Sequence, residues 1–225
     1  MTDLRPLPFL AVAMVLAAGA AFAQAPAPAP PAPPPLVASS LNPALSIDLT
    51  TPAGMALLNG QWRTMEAKIV TVAPIPNAMA GYTSTYDISP HAGEAGYDDS
   101  AWPKIEAQGL KDRRGGGKVS FIWYRTSLTI PAKIGDFDTA NTRVVLTVVV
   151  DDYAEVWVDG QMPRRAGLVS PGTVQGFNMP NRVVLDDRAK PGDTFKVAIF
   201  GINGPISVAP ANFLSFREAH LDFYR

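Results

Sequence analysis

Three pairs of adjacent carboxylates, Asp98/Asp99, Asp151/Asp152 and Asp186/Asp187, are the first candidates for chemistry in this chain. Two carboxyl groups set across a sugar ring cleave glycosides as acid and nucleophile. Successive strand residues point to opposite faces, however, so no neighbouring pair supplies both roles on one face. Turns and caps are the commoner use of such aspartates. A hard cation is another use: calcium takes several loop oxygens, and Asp98, Asp99, Asp151 and Asp152 are its candidate ligands, although no alternating run of Asp and Asn accompanies them. The two histidines, His91 and His220, come without a G-x-S-x-G nucleophile turn and make a poor zinc site; both read as surface residues. With no cysteine, disulfides, thiolate nucleophiles and thiolate metal sites are excluded.

Aromatic side chains with polar neighbours are stronger candidates. A sugar stacks its C–H face on a ring while amides, carboxylates and guanidinium groups read its hydroxyls. Trp157 shares a strand face with Glu155 and Asp159, and Phe177 and Asn178 adjoin in a loop. Asn203, between Gly201 and Gly204, follows a strand, and Asn212, Arg113 and Arg114 are further loop candidates. Against each stands the plainer alternative that an outward aromatic only covers neighbouring aliphatic stems. No residue is assigned a catalytic role.

The elements that must hold these residues are strands. Arg143 to Gln161 (RVVLTVVVDDYAEVWVDGQ) gives a β-branched run suited to a strand buried on both faces. A break at Asp151-Asp152 follows, then an alternating strand with Ala154, Val156 and Val158 on one face, ended by the turn Asp159-Gly160. Lys118 to Ile130 places Ile122, Tyr124, Leu128 and Ile130 inward and Phe121, Trp123, Arg125, Ser127 and Thr129 outward. Further strands are expected at Gln61 to Val72, stopped by Pro74 and Pro76, and at Thr83 to Ile88, Arg182 to Leu185, Thr194 to Ile202 and Ser215 to Tyr224. In the last, Glu218, His220 and Asp222 are expected to face outward, and Lys68 to meet Glu218 or Asp222 across an edge. Trp102 is expected to plug one end of the core. Gly54 to Leu58 makes at most one helical turn. About eight strands and no convincing helix predict an all-β antiparallel sandwich or jelly roll.

Ahead of this domain, Phe9 to Ala21 is a short apolar segment running into Ala21-Phe22-Ala23, a leader pattern with cleavage expected after Ala23. Gln24 to Pro35 (QAPAPAPPAPPP) favours an extended polyproline spacer. The expected organisation is therefore leader 1–23, Pro/Ala-rich linker 24–40 and β-sandwich 41–225, with export to the periplasm or beyond and no membrane span once the leader is removed. A balance of 19 Lys+Arg against 20 Asp+Glu argues against nucleic acid as a partner.

The order Tyr97-Asp98-Asp99-Ser100-Ala101-Trp102, then Trp123-Tyr124-Arg125, then Asp151 to Gly160, then Lys190-Pro191-Gly192-Asp193 before a Val-Ala-Ile strand resembles the galactose-binding-like jelly roll. That module serves as the sugar-binding domain of family 2 glycoside hydrolases, and the resemblance covers roughly residues 61–225. Phe200 to Ser207 (FGINGPIS) is similar to the module ahead of the propeller in some secreted gluconolactonase-like proteins. The resemblance implies that Asn203 sits where related domains reach toward a bound sugar; modules of this type often carry a structural calcium, and no other cofactor is expected. Because the chain ends at Arg225 without a propeller or barrel, it also implies an exported, non-catalytic carbohydrate-binding or accessory module. The alternatives are a hydrolase acting on a glycoside or sugar lactone, and a protein-interaction domain docking onto a partner enzyme.

Overall fold

The valine run from Arg143 to Asp151 forms a strand whose seven interior residues are all buried, as expected of a strand with side chains packed on both faces. In a computed structural model, which describes residues 42–76, 83–162, 178–204 and 211–225, the fold is built outward from that strand. In chain order the strands are β1 (Leu45–Asp48), β2 (Trp62–Glu66), β3 (Lys68–Pro76), β4 (Thr83–Ser89), β5 (Lys104–Ile105), β6 (Arg114–Gly115) and β7 (Ser120–Thr129). They continue as β8 (Lys133–Ile134), β9 (Phe137–Asp138), β10 (Arg143–Asp151), β11 (Tyr153–Val158), β12 (Asn181–Asp186), β13 (Thr194–Asn203) and β14 (Phe213–Tyr224). Among the described residues there is one α-helix, α1 (Pro52–Leu57), capped by Thr51, whose hydroxyl accepts from the Gly54 N–H at 3.1 Å.

The first sheet runs β1-β14-β10-β12, with β6 beside β14; the second runs β11-β13-β7-β2-β5. All these pairs are antiparallel. From β10 to β14 the chain changes sheet at every connection, which is jelly-roll winding around a shared interior. The sequence-based reading of an all-β sandwich holds. Its inward rows are right for β7 and β11, where Tyr124, Leu128 and Ala154 are completely buried, and the same alternation buries Ile199 of β13 and Leu221 and Phe223 of β14. Across the gap, the Phe216 ring of β14 meets Tyr124 of β7 edge-on at 4.8 Å, and Trp62 of β2 at 6.1 Å.

Although consecutive, β10 and β11 do not pair, since one lies in each sheet. Two expectations about the strands are corrected. Pro74 and Pro76 do not stop their strand: β3 reaches Pro76 in a two-stranded hairpin with β4, where a register shift between Thr71 and Ile75 accommodates a residue without an N–H. Lys68 faces Ser89 in that hairpin and not Glu218 or Asp222; the chain is closed instead by β1, which pairs Leu45 with Phe223. Asp222 lies on the outward row as expected, alternating with Leu221 and Phe223, yet it is buried on an interior strand and accepts hydrogen bonds from Ser46 Oγ at 2.7 Å and Thr147 Oγ1 at 3.2 Å.

A third layer is the main departure from a simple two-sheet sandwich. Trp123 and Arg125, on the outward row of β7, are 4% and 5% exposed because the segment from Pro90 to Pro103 folds over them. Trp102 belongs to this outer cluster with Trp123, Ala198 and Phe200, and so does not plug the end of the inner core.

Candidate ligand-binding site

Arg125 is the pin that holds the outer layer. Its Nε donates to Asp99 Oδ2 at 2.8 Å, Nη2 donates to the Tyr97 carbonyl at 3.3 Å, and Nη1 donates to the Ala92 carbonyl. The guanidinium also lies 5.3 Å from the centre of the Tyr97 ring. Trp123 Nε1 donates to the Pro90 carbonyl at 3.0 Å, and Asp98 caps its own turn through the Ser100 N–H at 2.9 Å. The Tyr97-to-Trp102 and Trp123-Tyr124-Arg125 motifs are thus two halves of one lock between loop and sheet.

Where the loop stops short of the rim, it leaves a hollow of about 340 Å³ on the outer face of the second sheet. Its apolar side is made by Trp123 and Phe200, with ring centres 4.8 Å apart, and by Trp157, which is half-buried. Gly93 lets the loop backbone lie against the indole: a Cβ there would sit 2.8 Å from Trp157 Cδ2. The polar side comes from Glu155 of β11, Asp87 near the end of β4, and His91 and Glu94 at the loop's start. Glu155 Oε2 accepts from Trp157 Nε1 at 3.2 Å. His91 stands between two acids, Nε2 at 2.7 Å from Asp87 Oδ2 and Nδ1 at 3.4 Å from Glu94 Oε1. The hydrogen bond to Asp87 holds the His91 pKa above the usual imidazole value, and the Ile88 N–H, followed by His91, holds Asp87 below the usual carboxylate value. Such a hollow offers an aromatic face beside hydrogen-bond acceptors, and its size suits a single sugar residue or a short oligosaccharide.

The other predicted residues gather elsewhere. Arg113, Asn203 and Asn212 line a second, polar hollow of about 330 Å³ at one end of the sandwich, together with Asp151 and Asp152. Most of their polar groups serve the fold. Asn203 is 6% exposed and its Nδ2 donates to the carbonyls of Asp151 at 3.2 Å and Phe213 at 2.5 Å; Asn212 Nδ2 donates to the Lys118 carbonyl at 2.6 Å. Arg114 turns back onto the Gly109 and Asp112 carbonyls, whereas Arg113 is exposed. Asn178 joins this end through its N–H, 2.9 Å from the Asp152 carbonyl, with its Oδ1 enclosed and unpartnered among the described residues. Phe177 lies outside the described residues.

Among the four candidate calcium ligands, Asp98 and Asp99 sit by the outer loop and Asp151 and Asp152 at the sandwich end. Asp99 is occupied by Arg125, and Asp151 stands 3.4 Å from Arg217. Among the described residues, no group of three or more His, Cys, Asp or Glu side chains is placed to hold a metal ion. Burial, and then the hydrogen bond with Asp151, push the Asp152 pKa up to about 6, against an opposing bond from the Gly204 N–H.

No protein-family model and no curated protein matches the chain. Similar solved structures include two of Bacteroides uniformis beta-glucuronidase 2. One is a calcium-binding mutant, at 13% identity and a TM-score of 0.46; the other is the protein covalently bound to cyclophellitol-6-carboxylate aziridine, at 13% identity and 0.44. Each covers 80% of this chain and 18% of its own. A Faecalibacterium prausnitzii beta-glucuronidase is similar over 73% of this chain and 31% of its own, at 14% identity and a TM-score of 0.38. The chain thus spans less than a fifth of the length of the first two. The fold assignment rests on the sheets described above.

Trp157 was legible from sequence as a ring beside a carboxylate, but its companions were not. Asp87, His91 and Glu94 carry one signal, two acids spaced four before and three after a histidine, which marks a local cluster without saying what it faces. Trp123 and Phe200 gave another: large rings on rows that alternation assigns to the outside.

Proposed function

We propose that this protein is an exported, non-catalytic carbohydrate-binding or accessory module, and that sugar binds in the outer-face hollow bordered by Trp157. The observation that carries this reading is the pairing of an indole with a carboxylate at its edge above an aromatic wall, the arrangement needed to stack a pyranose and read its hydroxyls at once. A holding role fits the acids there, since Asp87 and Glu94 are committed to His91 and Glu155 to the indole N–H. The leader-like N-terminus supports export. A structural calcium remains part of the proposal for loop carboxylates outside this hollow.

A second reading, docking onto a partner enzyme, is favoured by the β3–β4 hairpin, where Ile69 and Tyr86 share a face and are 51% and 65% exposed. A glycan array followed by calorimetry separates the two. Saturable binding lost in Trp157→Ala supports the sugar-binding reading; absence of binding to any glycan, with retention of a hydrolase that is released by Tyr86→Ser, supports docking. Turnover of a chromogenic glycoside or a lactone by the pure protein would replace both with a hydrolase.

A further inference from the structure

Building on the sugar-binding reading, we propose that the outer-face hollow selects sugars bearing a free amine, such as a deacetylated hexosamine oligomer, over neutral and uronic-acid sugars. The charge of the lining points there. Among the described residues that line it, Asp87, Glu94 and Glu155 supply three carboxylates, His91 is the one basic side chain, and there is neither lysine nor arginine. Even with His91 protonated, the wall is negative by two charges.

Position matters as much as the total. Glu155 is held against the edge of the Trp157 indole by the 3.2 Å hydrogen bond, so an ammonium group on a stacked sugar meets the carboxylate and the ring's negative π-face together. Asp87 and Glu94 sit on the opposite, loop side with His91 between them, where solvent screens them more: Glu94 is 69% and Asp87 36% exposed. A uronic acid in the same pose would bring a fourth carboxylate into the hollow, where the one basic side chain, His91, is already held between Asp87 and Glu94. A neutral or N-acetylated sugar would keep only the stacking and hydroxyl contacts.

Calorimetry of the full chain against three short oligomers of equal length, fully deacetylated glucosamine, N-acetylglucosamine and a glucuronic-acid-containing glycan, tests this. The deacetylated oligomer is expected to bind about tenfold more tightly than the acetylated one at low salt, and the uronate most weakly. Glu155→Gln should weaken the deacetylated oligomer far more than the acetylated one, bringing the two to near equality. Equal affinities in the parent protein, or preference for the uronate, would overturn the amine selection and leave the sugar site standing. A preference for the amine that survives Trp157→Ala would place the cation away from this hollow and overturn the assignment. Failure of all three sugars and of the wider glycan panel would remove the sugar-binding reading itself.

Discussion

Replacing Arg125 with methionine should loosen the outer layer while leaving the two-sheet core intact. Met keeps most of the aliphatic stem, so the loss is electrostatic: one charge-assisted bond to Asp99 and the donors serving the Ala92 and Tyr97 carbonyls. Hydrogen bonds to charged groups contribute about 1.5–3 kcal/mol, and removing one partner of a fully buried ion pair costs about 3–5 kcal/mol. Asp99 is 28% exposed and can regain water, which places the expected loss near the lower end, about 3 kcal/mol. For a domain of this size that corresponds to a fall of roughly 6–12 °C in melting temperature. Urea unfolding followed by tryptophan fluorescence gives the number, with Ser127→Ala, an exposed position on the same strand, as the neutral control. Limited proteolysis should show faster cleavage between residues 89 and 103. A loss below about 1 kcal/mol, with the loop no more cleavable than in the control, would refute the pinning role.

Three further outcomes are expected. Asp152 has a folded pKa of about 6, above the unfolded value of roughly 3.9, so its protonated form is the one folding favours. Its contribution is present below about pH 4 and is lost as pH rises to about 6, by up to about 3 kcal/mol; Asp152→Asn should flatten that part of the pH–stability profile, and an unchanged profile would contradict the burial argument. His91 should titrate by NMR above the usual imidazole pKa, with its favourable contribution lost as pH rises through that folded value, and Asp87→Asn should shift the titration downward. Gly201→Val should destabilise by about 1–3 kcal/mol in chemical denaturation, because even a Cβ there would lie 2.7 Å from both Leu214 methyl carbons in the inner core.

The inner core was legible because strand alternation carries its own geometry. Once Leu128 and Tyr124 share a row, and Ala154, Val156 and Val158 share another, burying those rows requires two facing sheets. Outer-layer packing left no such periodic trace. The residues from Pro90 to Pro103 have no repeating pattern, and their place over Trp123 depends on Arg125 reaching carbonyls about thirty positions earlier in the chain. The burial of Asp222 was hidden for a related reason: alternation places it on the outward row but does not show that Ser46 and Thr147 on the neighbouring strands satisfy it in place of water. Chemical type was a partial guide to the candidate site. Arg113, Asn203, Asn212 and Asn178 do converge, yet the amides of Asn203 and Asn212 are committed to backbone carbonyls, which residue type alone does not reveal. Trp157 was identifiable because Glu155 lies two residues before it on the same strand face.

Indole N–H resonances during a glycan titration test the binding site most directly, because the four tryptophans occupy different places in the fold. Trp157 and Trp123 border the outer-face hollow, whereas Trp62 is enclosed between the sheets with its N–H on the Leu49 carbonyl at 3.1 Å. Binding should move the Trp157 signal most, Trp123 less and Trp62 hardly at all. Saturable binding that left Trp157 still while shifting the backbone amides of Gly204 and Asn212 would contradict the account and move the site to the polar end of the sandwich.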